Sequence, residues 1–245
     1  MNRTDSPLRA GILAAGRGER LRRGTSDLKP LVKIAGESLI ERVLNSMSEA
    51  GAVEVIVIIN EDSETVRDQV AQREWPFTLR WIVETTPTSM HSFLRLVETL
   101  AADGNVGPFL LSTVDTIASP QTYAHFIAEA RRLEQANVTL ALTTPGDDEK
   151  PLLVRISPRD STVTAIGKAA APSEYATAGV YAVRSTILRE AEAARRDGIG
   201  ALRIFLERLF ERGYPMAGIP ISRSIDVDHP GDIKTAEELL RSAQR

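Results

Sequence analysis

The sequence predicts an α/β protein of three layers, doubly wound, with a mostly parallel mixed sheet and antiparallel additions in its C-terminal half. Three observations carry this. Short aliphatic, β-branched runs alternate with amphipathic stretches from the N-terminus to about residue 145. Val53 to Ile59 is apolar at almost every position, as expected of a strand covered by helices on both faces. Beyond residue 145, three strand-like runs follow one another with no helix between them, which points to antiparallel pairing.

The elements follow in chain order. Leu8 to Ala15 is an apolar strand that stops at Gly16-Arg17-Gly18. From Ser38 the apolar residues Leu39, Ile40, Val43, Leu44, Met47 and Ala50 recur at helical spacing, Ser38 and Glu41 form a capping box, and Gly51 ends the helix. With the strand at Val53 to Ile59 this makes a right-handed crossover unit. Ser63 to Gln72 reads as a helix, Thr78 to Val83 as a strand, Ser89 to Ala102 as a helix and Pro108 to Ser112 as a strand. Ser119-Pro120 opens a helix that buries Tyr123, Phe126, Ile127, Ala130 and Leu133, and Asn137 to Leu142 is the next strand.

After Pro145-Gly146-Asp147-Asp148 the alternation of strand and helix loosens. Strands follow at Leu152 to Ser157, Thr162 to Ile166 and Ala176 to Val183, then helices at Ser185 to Arg196 and Ile199 to Arg212. Short extended pieces at Pro215 to Pro220 and Ser224 to Val227 precede a last helix opened by Pro230. The reading is one domain over residues 1–245, with residues 1–145 as one half and 146–245 as the other.

Composition narrows the chemistry. The chain has 245 residues, no cysteine and a formal net charge of −3 from 30 cations and 33 anions. Disulfides, thiolate metal sites and a cysteine nucleophile are thereby excluded, and the mixed charges favour neither nucleic acid nor an acidic membrane surface. The first residues, Met1 to Arg9, lack an apolar signal core, and no run approaches the roughly 20 apolar residues that span a bilayer. The expectation is a cytoplasmic protein, with room left for a homo-oligomer.

The informative stretch is Gly11-Ile-Leu-Ala-Ala-Gly-Arg-Gly-Glu-Arg-Leu21, followed by Asp27-Leu-Lys-Pro-Leu31. A strand that runs into a glycine turn brings backbone N–H groups close to a ligand, the usual cradle for phosphate. Two glycine loops fail to fit. A dinucleotide fingerprint needs glycine where Leu21 stands, and a Walker loop needs Gly-Lys-Ser/Thr where Gly18-Glu19-Arg20 stands.

LAAGRGERL together with LKPLVKIAGESLI resembles instead the nucleotidyltransferase family that activates sugar 1-phosphates and related phosphates with a nucleoside triphosphate. The resemblance implies a Rossmann-like nucleotidyltransferase fold and Mg2+ as cofactor. Leu13, Ala14, Ala15, Gly16 and Gly18 would bind the nucleotide, and Arg20 and Lys29 would take its triphosphate as the catalytic cations. Thr88 and Ser89 occupy the place of the base-recognition loop; Ser89 and Ser92 also read as helix-capping hydroxyls.

Asp115, just beyond the strand that ends at Ser112, resembles the family's magnesium-binding aspartate, with Val114 where a glycine is usual. Ser224-Ile-Asp-Val-Asp-His-Pro-Gly-Asp resembles its second metal motif, with Asp226 as the ligand. Asp226 and Asp228 point to one side of an extended segment, so Asp228 is either a further ligand or a cap for the helix that Pro230 opens. Asp232 reads as a first-turn helix acid. His91, His125 and His229 give no ligand spacing for zinc.

On the acceptor side, Ala165-Ile-Gly-Lys168 and Tyr175-Ala-Thr-Ala-Gly-Val-Tyr resemble the family's E-K-P and A-x-A-G-I-Y sequences. They imply that Lys168 holds an acceptor phosphate and that Gly179 lets the backbone approach the acceptor. Gly167 replaces the glutamate before that lysine. The function expected is transfer of a nucleoside monophosphate from an NTP to a small phosphorylated acceptor, foremost a sugar 1-phosphate. The alternatives are transfer to choline or inositol phosphate, a nucleotide-sugar glycosyltransferase built on Asp226-Val-Asp228, and a non-catalytic sensing subunit.

Overall fold

The computed structural model describes residues 6–21, 28–145, 151–222 and 224–243. Asp27, Gly146-Asp147-Asp148 and the residues before Ser6 lie outside the described residues.

Strand β1 (Leu8–Leu13) precedes a small hairpin, β2 (Lys33–Ile34) and β3 (Glu37–Ser38), that leads directly into helix α1 (Leu39–Glu49). The capping box forms as the sequence indicates, with Ser38 and Glu41 satisfying each other's backbone N–H groups. Leu39, Ile40, Val43, Leu44 and Met47 are buried, each stabilising the fold by about 1.5–3 kcal/mol. Strand β4 (Ala52–Ile59) follows; it is buried from Val55 onward, while Val53 at its mouth is 50% exposed.

The chain continues through α2 (Glu64–Val70), β5 (Thr78–Val83), α3 (Ser89–Leu100), β6 (Phe109–Thr113), the two-residue strand β7 (Thr116–Ile117), α4 (Pro120–Arg132) and β8 (Val138–Thr143). Then come β9 (Leu153–Ile156), β10 (Val163–Ile166), β11 (Tyr175–Val183), α5 (Ala191–Arg196), α6 (Leu202–Glu211), β12 (Met216–Pro220), β13 (Ile225–Asp226) and α7 (Pro230–Ala243).

The main sheet runs β10-β9-β11-β6-β1-β4-β5, with β8 and β12 attached beside β11. β6, β1, β4 and β5 are mutually parallel, whereas β11 is antiparallel to β6, β8 and β9, as the loosened rhythm of the second half predicts. β12 departs from that expectation by pairing parallel to β8. β11 serves both regions because it is kinked: its register against β8 shifts between Thr177 and Tyr181, around Gly179 at φ 70°. Alternate strand residues face two apolar layers, one shared with α1, α2, α4 and α7, the other with α3, α5 and α6. Gly11 lets α3 lie close on β1, since a Cβ there would stand 2.8 Å from Leu111 and 3.3 Å from Leu96.

Two helices differ from the sequence reading. The stretch from Ser185 begins as a 3-10 helix over Ser185–Glu190 and becomes α-helical only at Ala191. α6 begins at Leu202, three residues later than the expected start at Ile199; Gly200 O accepts from Met90 instead, a contact described below.

Candidate active site

The carboxyl ends of parallel strands converge. Loops after β1, β4, β5 and β6 wall one side of a cleft of about 980 Å³, and the start of β9, the kink of β11 and the first turn of α6 wall the other. Open α/β sheets present ligands at this edge because adjacent loops splay apart there.

The loop after β1 lies along the cleft. Leu13, Ala15, Gly16, Arg17, Gly18, Glu19 and Arg20 line it, while Ala14 is buried beneath with its N–H bonded to Ile58 O. Gly18 has φ 59°, and a Cβ there would stand 2.6 Å from Lys29 Cβ. Glycine at this position is therefore what lets the loop close over the Lys29–Leu31 3-10 turn.

Lys29 is the charged centre of the site. Its side chain is 9% exposed, and Nζ donates to Asp115 Oδ2 at 2.5 Å and to Asp228 Oδ1 at 2.7 Å. Burial alone would lower its pKa, but the two carboxylates outweigh burial and hold it above its ordinary value. Asp228 also reaches Arg20, at 3.3 Å. Burial pushes the Asp228 carboxyl up; the Lys29 hydrogen bond and charge, with Arg20, bring it below its usual value.

The acidic segments meet across a two-strand ladder. β13 pairs antiparallel with β7, setting Asp226 opposite Thr116, and Val227 N–H donates to Asp115 O at 3.0 Å. Thr116 Oγ1 donates to Asp226 Oδ1 at 2.8 Å. Asp226 is open to solvent yet surrounded by protein, and this partial desolvation, followed by the negative charge of Asp115, raises its pKa. Val114, where a glycine is usual, has no positive φ; it is 5% exposed and its N–H extends the β1–β6 ladder to Leu13 O. A valine fits there without strain. The Asp228 carboxylate is engaged by Lys29 and Arg20, and Asp232, in the first turn of α7, accepts the N–H groups of Asp228 and His229 at 2.9 and 2.7 Å.

The segment after β5 lines the cleft with Thr85, Thr86, Pro87, Thr88, Ser89 and Ser92. Ser89 Oγ accepts the N–H of Leu202 at 3.0 Å, and Met90 N–H donates to Gly200 O at 3.0 Å. The hydroxyl thus caps α6, across the cleft edge, rather than its own helix. Thr88 bonds His91 Nδ1 through its hydroxyl at 2.8 Å.

Gly179 is packed from behind: a Cβ there would stand 2.1 Å from Thr116 Oγ1 and 2.7 Å from Thr113 Oγ1, so glycine is required beside the hydroxyl that holds Asp226. Lys168 sits on the 3-10 turn Gly167–Ala170, exposed, outside the residues that line the cleft. The cleft also recruits residues with no local sequence signal. Asn60, 5% exposed, donates to Ala15 O at 3.3 Å and accepts from Ser63 at 2.7 Å. Leu152, Thr177, Tyr181, Leu202, Arg203 and Leu206 form the far wall.

The donor set suits a hard cation. Asp115, Asp226 and Asp228 offer carboxylate oxygens, but among the described residues no group of three or more acidic or histidine side chains is placed to hold an ion alone.

Glycine loop, cations and carboxylates at this sheet edge define a nucleotide-handling α/β protein. The chain belongs to the MobA-like NTP transferase domain family, whose model matches residues 10–197. It is 30% identical over 145 residues to the bifunctional protein GlmU of Anaeromyxobacter sp. (strain K), covering 59% of this chain and 29% of that protein. It is 29% identical over 109 residues to mannose-1-phosphate guanyltransferase 2 of Candida glabrata, covering 43% and 30% respectively. The chain thus spans about three-tenths of the length of these curated relatives.

Its fold is similar to that of the inositol-1-phosphate CTP transferase from T. maritima (TM-score 0.79, 19% identity, 98% of this chain and 97% of that one). It is also similar to a putative glucose-1-phosphate thymidylyltransferase from Bacillus anthracis (TM-score 0.78, 16% identity, 96% of each). Among the described residues, no helix is long and apolar enough to cross a membrane.

Proposed function

We propose that this protein transfers a nucleoside monophosphate from an NTP to a small phosphorylated acceptor, foremost a sugar 1-phosphate, with release of pyrophosphate. The observation that carries the reading is the meeting of Lys29, Asp115 and Asp228 within 2.7 Å contacts at the mouth of the β1 glycine loop. An acceptor phosphate oxygen attacks the α-phosphorus; a new P–O bond forms as the α–β bridging bond breaks, and its electron pair leaves with pyrophosphate. Such a reaction needs alignment and charge neutralisation rather than a protein nucleophile.

The backbone from Leu13 to Gly18 would bind the nucleotide, with Thr88 and Ser89 beside its base. Arg20 and Lys29 would bind the triphosphate oxygens, Lys29 exchanging a carboxylate partner for phosphate. Asp115, Asp226 and Asp228 would hold Mg2+, which when bound neutralises charge on the α-phosphate and the leaving group. Gly179 keeps Thr116 on Asp226, and Lys168 lies on an exposed turn outside the cleft lining. The Mg2+ requirement and the acceptor identity belong to this proposal.

Transfer to a phosphoalcohol such as inositol phosphate is the second reading. It is favoured by Leu152, Leu202 and Leu206, which offer an apolar surface in the cleft. The test is pyrophosphate release with Mg2+, crossing ATP, CTP, GTP, UTP and dTTP with sugar 1-phosphates, inositol 1-phosphate and phosphocholine. Release with one pair establishes the reaction and names both substrates. NTP binding with no release from any pair would favour a sensing protein, and turnover of a nucleotide sugar without an NTP would favour a glycosyltransferase.

A further inference from the structure

The cations that line the cleft among the described residues are Arg17, Arg20, Lys29 and Arg203. Arg17 and Arg20 belong to the β1 loop, and Lys29 is bound to Asp115 and Asp228. Arg203 comes from the start of α6. It is the second residue of α6, exposed, and has no carboxylate partner among the described residues, although Glu207 lies one turn further along the helix. Its neighbours on the far wall are Leu152, Thr177, Tyr181, Leu202 and Leu206.

Arg203 is also held in place. Ser89 Oγ fixes Leu202 N–H, Met90 N–H fixes Gly200 O, and a Cβ on Gly200 would stand 3.1 Å from Thr88. These contacts fasten the first turn of α6, which carries Arg203, to the segment after β5. An unpaired arginine on an otherwise uncharged wall offers a planar fork of donors that matches phosphate oxygens in two parallel hydrogen bonds. Lys168 sits on an exposed turn outside this lining; Asp226 and Gly179 also lie outside it.

We propose that Arg203, rather than Lys168, anchors the phosphate of the acceptor, and that the leucines around it take the acceptor's C–H face. The inference rests on the nucleotidyl-transfer reading for its place in catalysis but makes its own claim: the far wall binds a phosphomonoester. Arg203→Gln raises the KM for the acceptor by about tenfold to a hundredfold, the loss expected when a charge-assisted hydrogen-bonded pair is removed. The KM for the NTP stays within about twofold, and Arg203→Lys recovers part of the loss. Lys168→Gln leaves both constants near wild type.

A second measurement is independent of turnover. Inorganic phosphate is titrated, by 31P NMR, into protein saturated with an α,β-methylene NTP and Mg2+. Wild type and Lys168→Gln bind phosphate and Arg203→Gln does not. Unchanged phosphate binding in Arg203→Gln, a rise confined to the KM for the NTP, or loss of acceptor binding in Lys168→Gln alone would each overturn the assignment. Phosphate binding that depends on Arg203 in a protein with no pyrophosphate release would support the assignment while rejecting the catalytic reading.

Discussion

Lys29 Nζ lies 2.5 Å from Asp115 Oδ2, joining residues 86 positions apart in the chain, and shares its remaining donors with Asp228. A buried ammonium between two carboxylates is compensated only while both partners are charged, so the site is sensitive to loss of any of the three. Lys29→Met and Asp115→Asn are each expected to lower turnover by about 10²–10³, the cost of one well-placed electrostatic group in a transition state. Far-UV circular dichroism should remain that of the wild type. Turnover within a few fold of wild type in either variant would remove Lys29 and Asp115 from the chemistry.

Gly179 carries a prediction about stability that reaches the site. Alanine at φ 70° costs about 1–3 kcal/mol from backbone strain alone, and its Cβ would also displace Thr116 Oγ1, 2.1 Å away. Gly179→Ala is therefore expected to shift the urea midpoint downward and, by moving Thr116, to weaken the hydrogen bond to Asp226. Urea denaturation at equilibrium measures the first effect. A midpoint equal to that of the wild type would show that the β11 kink relaxes freely.

Ser89 caps a helix that is remote in sequence. Removing its oxygen in Ser89→Ala leaves Leu202 N–H without its partner, at a cost of about 1 kcal/mol typical of a lost helix cap. Hydrogen exchange should rise locally at the first turn of α6. Exchange unchanged there, with the loss spread over the whole chain, would argue that Ser89 acts only through global stability.

Glu54 links folding to pH. Burial pushes its carboxyl up, but Arg9 and Arg80 overcome this and hold it below its ordinary value of 4.5. A carboxyl with a depressed folded pKa binds its proton more readily in the unfolded chain, so its stabilisation is present above the unfolded value and disappears as pH falls through the folded one. The Tm gap between wild type and Glu54→Gln should be widest near neutral pH and close at pH well below 4.5. A gap that stays constant with pH would mean that packing, not charge, is what the substitution removes.

Much of this fold could be read from local pattern. The α1 stripe from Leu39 to Met47 and the apolar run to Ile59 announce themselves because helix and strand periods of 3.6 and 2 are written in adjacent residues. The hairpin at residues 33–38 and the β7–β13 ladder could not be read, since two-residue strands have no period to detect. The late start of α6 is of the same kind: Leu202 N–H takes its cap from Ser89, 113 positions away.

What the sequence determined by itself is the inventory of the site: a glycine loop closing a strand, Arg20 and Lys29 after it, and acids at residues 115, 226 and 228. These stand in short motifs that resemble the family's, each legible along one backbone. Only the tertiary structure decided which groups meet. It joined Lys29 to Asp115 and Asp228, used Ser89 on α6, set Arg203 on the cleft wall and left Lys168 outside it. The physical reason is that each of these contacts depends on strand order and on the kink at Gly179, and strand order is fixed by burial on both faces of the sheet rather than by neighbours in sequence.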